Sequence, residues 1–135
     1  MIREFTFADY DAALALWKAT PGLGITAADE PEPIAGFLVR NPGCSMLWEQ
    51  DGALIGTALC GHDGRRGYLY HVAVLPGHRG RGIGAALVDA CRAALQAQGV
   101  DRCHVFVYTD NAIGNRFWAA RWRRRHDIVV YTADT

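Results

Sequence analysis

The sequence lacks a charge of either sign in excess: 14 Lys and Arg balance 14 Asp and Glu, for a formal net charge of zero. Bulk electrostatics therefore give no reason to expect nucleic acid or an acidic partner. No apolar run approaches the ~20 residues of a membrane span. No signal peptide opens the chain. These absences lead us to expect a cytoplasmic protein with no nucleic-acid or membrane partner. Internal repeats and low-complexity tracts are missing too. The four cysteines, Cys44, Cys60, Cys91 and Cys103, lie far apart with no C-x-x-C spacing. Neither a zinc site nor a disulfide framework is signalled, so they read as buried thiols in a reducing compartment, and no metal is expected. What is present is 135 residues, half of them hydrophobic. That is enough for a real core, and it predicts one domain spanning residues 1–135.

Hydrophobic periodicity orders the elements. Ile2 to Thr6 reads as a short strand. Thr6 and Asp9 have capping-box spacing, and Tyr10, Ala13, Leu14 and Trp17 then recur at helical intervals until Pro21-Gly22. An acidic loop from Thr26 to Pro33 leads to a helix over Ile34 to Arg40. Three strands follow, Ser45–Glu49, Leu54–Gly61 and Gly67–Leu75, joined by turns at Asp51-Gly52 and Asp63-Gly64. A long helix over Gly82 to Gln98 buries Ile83, Leu87, Ala90, Cys91, Ala94 and Leu95 and stops at Gly99. Cys103 to Tyr108 is then a strand parallel to the third meander strand. Asn111 caps a helix from Ala112 to about Arg121, and Ile128 to Thr132 is a last strand. The sum is an α+β fold: a mixed, mostly antiparallel sheet of about six strands flanked by four helices.

The loop between the third meander strand and the long helix carries the chemistry. It reads Val74-Leu75-Pro76-Gly77-His78-Arg79-Gly80-Arg81-Gly82-Ile83-Gly84. A helix N-terminus has unpaired N–H groups and a partial positive charge, so it binds phosphates. Gly80, Gly82 and Gly84 remove Cβ atoms that would block a pyrophosphate, and Arg79 and Arg81 add charge. Gly80 to Ala85 also satisfies the G-x-G-x-x-G/A dinucleotide pattern, with Asp110 as a later ribose-binding acid. Context opposes that reading. Leu75 to Arg79 intervene before the pattern begins at Gly80, the strand closes an antiparallel meander, and only 25 residues follow Asp110.

Arg79-Gly80-Arg81-Gly82-Ile83-Gly84, after Val74 and Pro76, resembles the R/Q-x-x-G-x-G/A loop of the GNAT superfamily of N-acetyltransferases. The element order matches that family as well. The resemblance implies transfer of an acetyl group from acetyl-CoA to a primary amine by direct attack. It implies two strands that splay apart, with the pantetheine arm paired to Val72 and Val74. The pyrophosphate falls on the N–H groups of Arg81, Gly82, Ile83, Gly84 and Ala85, and the Val74 N–H becomes the oxyanion donor.

A second family motif, N-x-x-A-x-x-hydrophobe-Tyr, is matched by Asn111 as cofactor contact and by Phe117. Gly114 replaces its Ala and Trp118 its Tyr, the usual general acid. An indole does not ionise usefully, so Trp118 either donates a hydrogen bond in the site or packs in the core. The glycine expected after this helix is absent at Arg121-Trp122. Tyr70 and Tyr108 are the remaining acid candidates. Strand alternation puts His71 on the face opposite Tyr70, Val72 and Val74, which makes Tyr70 and Tyr68 nearer to the acceptor. For the acceptor itself the candidates are Glu30 in the first interhelical loop, His62 and Asp63 in the hairpin at 61–67, and Tyr68. The acceptor stays open among a small amine, an amino acid and a protein N-terminus. A homodimer is possible, and a non-catalytic acyl-CoA-binding module is the alternative function.

Overall fold

The computed structural model describes residues 1–135. Five strands form one sheet in the order β1-β2-β3-β4-β5: β1 Ile2–Glu4, β2 Met46–Gln50, β3 Ala53–His62, β4 Gly67–Val74 and β5 Cys103–Val105. β1 to β4 pair with one another antiparallel, and β5 lies parallel to β4. Helices α1 (Tyr10–Lys18) and α2 (Pro31–Arg40) precede the meander, α3 (Ile83–Ala97) crosses from β4 to β5, and α4 (Ala112–Ala119) follows.

The apolar stripes read from the sequence explain the layering. Tyr10, Ala13, Leu16 and Trp17 of α1 join Ile34 of α2 in a core against Leu47, Leu59 and Ala73 of the sheet. A second core sets Ile83, Leu87, Val88, Cys91 and Leu95 of α3 against Ile55, Ala58, Cys60 and Leu69. β3 is thus covered on both faces, which is why Ile55 to Gly61 is buried without alternation. All four cysteines are free, and three are fully buried. Burial pushes the thiols of Cys44 and Cys103 up, and Cys60 rises through its contact with Cys91 and its burial.

Two expectations about the sheet need correction. β5 ends at Val105, not Tyr108, because it leaves β4 there. The sixth strand over Ile128 to Thr132 does not form. These residues take part in no strand, and Ile128 to Tyr131 are 54–92% exposed. The exit from α4 supplies the reason. Arg121 and Trp122 both donate backbone N–H to Trp118 O, and no left-handed residue follows the helix. Without a glycine there the chain does not double back toward the open edge of β5. No helix is long and apolar enough to cross a membrane.

Candidate functional site

β4 and β5 pair only at Gly67, Tyr68 and Leu69, opposite Cys103, His104 and Val105. Beyond that they separate, and the C-terminal half of β4 loses its neighbour on one side. Leu75 N–H donates to Ile55 O at 2.9 Å. Alternation along an antiparallel pair then turns the N–H of Val74 away from β3, into the gap. Val74 O accepts from Arg79 Nε at 2.9 Å, which ties the end of the strand to the loop beyond it.

That loop delivers the chain to α3. Gly82 is the N-cap residue at φ +80°, a left-handed conformation that glycine adopts without strain, and no side chain caps the helix. The first α3 bond runs from Ala86 N–H to Gly82 O. The N–H groups of residues 81–85 therefore meet no protein acceptor, and they form an array of free donors at the positive end of a helix dipole. Open space surrounds Gly80 and Gly82. Gly84 differs from the expectation: a Cβ there would lie 3.1 Å from the Phe117 ring, so this glycine lets α4 pack on α3 rather than clearing a path to the loop.

A cavity of about 340 Å³ fills the gap between the strands. Val72, Tyr70, Tyr108, Asn111 and Trp118 line it, together with residues 20–24 of the first interhelical loop. Asn111 Oδ1 caps α4 by accepting from Gly114 N–H at 2.9 Å. Trp118 does both things considered for it: it lines the cavity, and it packs against Phe117 and Trp122 at 5.0 and 4.6 Å between ring centroids. Burial holds the Tyr70 phenol above its ordinary range. Tyr108 is exposed at the cavity mouth. A larger cavity, about 970 Å³, runs along the open edge of β5 and the C-terminal half of α3. It is far from the N–H array, and its Arg92 and Arg125 are already paired with Asp89 and Asp127.

His71 departs from the face that strand alternation assigns to it. Thr57 pairs with Ala73 and Leu59 with Tyr70, so Ala58 faces both His71 and Val72 in a β-bulge. His71 sits at φ +51°, a conformation that costs a non-glycine residue of order 1–3 kcal/mol. The bulge breaks alternation, and Tyr70, His71 and Val72 all line the cavity. His71 Nε2 lies 2.7 Å from Asp29 Oδ1, with side-chain exposures of 13% and 9%. Its ring packs on Trp17 at 4.7 Å. Asp29 is the residue the sequence reading passed over for its neighbour. Thr26-x-x-Asp29 is capping-box spacing, and that signal was available.

Four other candidates lie elsewhere. Glu30 is exposed at the start of α2 and does not line the cavity. Tyr68 stacks with His104 and Phe106, outside the cavity lining. His62 and Asp63 belong to the hairpin at the opposite end of β4, where His62 Nε2 meets Gln98 at the C-terminus of α3. Asp63 Oδ1 accepts from Arg65 and Arg66 N–H at 2.8 and 2.9 Å, and these bonds hold its carboxyl below the usual range. His62 Nδ1 accepts from Gly64 N–H. Those polar atoms are consumed in making the turn.

A split parallel pair beside a bare helix N-terminus is an architecture with relatives. A model of the acetyltransferase (GNAT) family matches residues 7–121. An acetyltransferase of Pectobacterium atrosepticum is 34% identical over 111 residues, covering 82% of this chain and 77% of that protein. One of Yersinia enterocolitica is 32% identical over the same shares. Among solved structures, an aminoglycoside 6'-N-acetyltransferase of Acinetobacter haemolyticus superposes with TM-score 0.80 at 17% identity, over 100% of this chain and 98% of that one. PaiA N-acetyltransferase of Thermoplasma acidophilum, in complex with coenzyme A, gives 0.74 at 17% identity, over 89% and 86%. The structural likenesses speak for the fold. The family match and the sequence identity go further: the chain belongs to the GNAT family of acetyltransferases.

Proposed function

We propose that the protein transfers the acetyl group of acetyl-CoA to a primary amine carried on a neutral or apolar body. The observation that carries this reading is the gap between β4 and β5, opening beside the unpaired N–H groups of residues 81–85. The donor substrate suits that geometry. Its pyrophosphate matches the α3 array, with Arg79 and Arg81 adding charge, and its pantetheine amides match the free backbone edge at Val72 and Val74. Asn111 borders the same channel. The Val74 N–H is the oxyanion donor for the tetrahedral intermediate, a contribution typically worth ~3–4 kcal/mol.

The amine approaches through the mouth formed by residues 20–24 and Tyr108. No Asp, Glu, Lys or Arg lines this cavity, so it offers no counter-charges to a polycation. A monoamine or a protein N-terminus fits better than a polyamine. As the nitrogen–carbon bond forms and the carbon–sulfur bond breaks, the departing thiolate takes a proton, and Tyr108 and Tyr70 are the phenols that line this cavity. The test is free-thiol release from acetyl-CoA across a panel of monoamines, N-terminal peptides and polyamines. Turnover confined to the first two groups is expected. Release with none of them would leave a non-catalytic acyl-CoA-binding module.

A further inference from the structure

We propose that His71, oriented by Asp29, takes the proton that the acceptor ammonium must lose before it attacks; this rests on the N-acetyl-transfer reading above. The side chain is held from every direction but one. Nε2 faces Asp29 Oδ1 at 2.7 Å. A carboxylate oxygen accepts, so Nε2 carries the hydrogen, and in the neutral imidazole the lone pair is on Nδ1. Asp29 is fixed in turn: its Oδ2 accepts from Thr26 N–H at 3.0 Å, and its carbonyl accepts from Tyr10 Oη at 2.6 Å. Trp17 supports the ring, and Trp17 Nε1 donates to Thr57 Oγ1 at 2.9 Å. Thr57 Oγ1 donates to the His71 carbonyl at 2.8 Å.

Every polar group in this shell has its partner except Nδ1 itself. It makes no hydrogen bond to protein, yet it is not among the sealed unpartnered atoms, which are Trp48 Nε1 and His78 Nδ1. The residue lines the cavity beside Tyr70 and Val72. A histidine kept only for packing does not call for a left-handed backbone that brings it into a cavity and leaves one nitrogen unused there. A carboxylate holding one imidazole nitrogen so that the other can accept a proton is the arrangement a general base needs.

The proton balance is simple. The ammonium passes one proton to His71 Nδ1, and His71 returns it to water. The neutral amine attacks the thioester carbonyl, the carbon–sulfur bond breaks, and the second proton from nitrogen ends on the thiol. One proton is released per turnover. The ionisable groups around His71 are Asp29 from the turn within the first interhelical loop, Tyr10 of α1 through its bond to the Asp29 carbonyl, and the cavity-lining Tyr70 and Tyr108.

The experiment compares wild type with His71→Gln and Asp29→Asn, using acetyl-CoA with benzylamine, which is an ammonium at neutral pH, and with O-methylhydroxylamine, which is not. His71→Gln is expected to lower kcat/KM for benzylamine ~100-fold or more, within the usual range of general-base catalysis. The neutral acceptor should change less than about fivefold. With benzylamine the deficit should shrink as pH rises and free amine accumulates, while the dissociation constant for coenzyme A stays put. Equal losses with both acceptors at every pH would reduce His71 to a structural role and overturn the proposal. Imidazole NMR on the wild type gives a reading independent of turnover: an Nε2–H neutral tautomer that changes in Asp29→Asn supports the dyad, and an Nδ1–H tautomer overturns it. A wild type that releases no thiol with any amine would overturn the transfer reading itself, an outcome distinct from a loss confined to the variants.

Discussion

The two ends of β4 teach different things. At its start, Gly67 to Leu69 are paired on both sides, and the preceding hairpin spends its polar atoms on its own turn through Asp63 and His62. At its end, the strand is bulged at His71, has no neighbour beyond Leu69 on the β5 side, and runs into a helix with no cap. Both ends carry histidine, glycine and charge in the sequence. The second end leaves the N–H groups of residues 81–85 and the Nδ1 of His71 without protein partners, as groups that a ligand can take up.

Three variants sharpen this contrast. The largest effect is expected from Gly82→Asp, which puts a carboxylate and a strained left-handed residue among the free N–H donors at the start of α3. Coenzyme A should bind at least ~100-fold more weakly by calorimetry, about 2.7 kcal/mol. Unchanged affinity in a folded variant would break the contrast outright. Trp118→Tyr comes next. If Trp118 acts mainly in the cavity, a phenol there supplies a proton donor, and turnover is equal or faster at unchanged cofactor affinity. If its packing with Phe117 and Trp122 dominates, the smaller ring costs on the order of 1–3 kcal/mol in thermal unfolding with no gain in rate. The smallest effect is expected from Asp63→Ala at the saturated end. Steady-state rates should stay within about twofold of wild type, the size expected away from functional features. A loss approaching that of Gly82→Asp would mean that both ends of β4 serve the reaction.

How much of this was legible in the sequence follows the same line. The loop from Val74 to Gly84 was readable because its chemistry is local: glycines for left-handed turns and close approach, arginines for charge, and a helix start that needs no distant partner. The element order was readable from periodicity. His71 and Asp29 were not, since they are 42 residues apart and meet only because a bulge cancels the alternation that sequence reasoning relies on. Glu30 drew attention for its charge, yet its neighbour Asp29 is the residue turned inward. The last strand failed for a converse reason. Ile128 to Thr132 has a strand's composition, but a strand forms only where the chain can be led to an open edge, and the turn after α4 does not lead it there.

On the proposed reading, the backbone exposed where β4 leaves β5 performs the transfer. Val74→Pro isolates it, because proline removes a single N–H that the sheet does not use and leaves the loop at residues 79–85 intact. The kcat for thiol release from acetyl-CoA should fall ~100-fold or more, the usual cost of one oxyanion donor. The dissociation constant of coenzyme A should shift by less than about tenfold, with a thermal melt showing the variant folded. A folded Val74→Pro protein that turns over at the wild-type rate would contradict it.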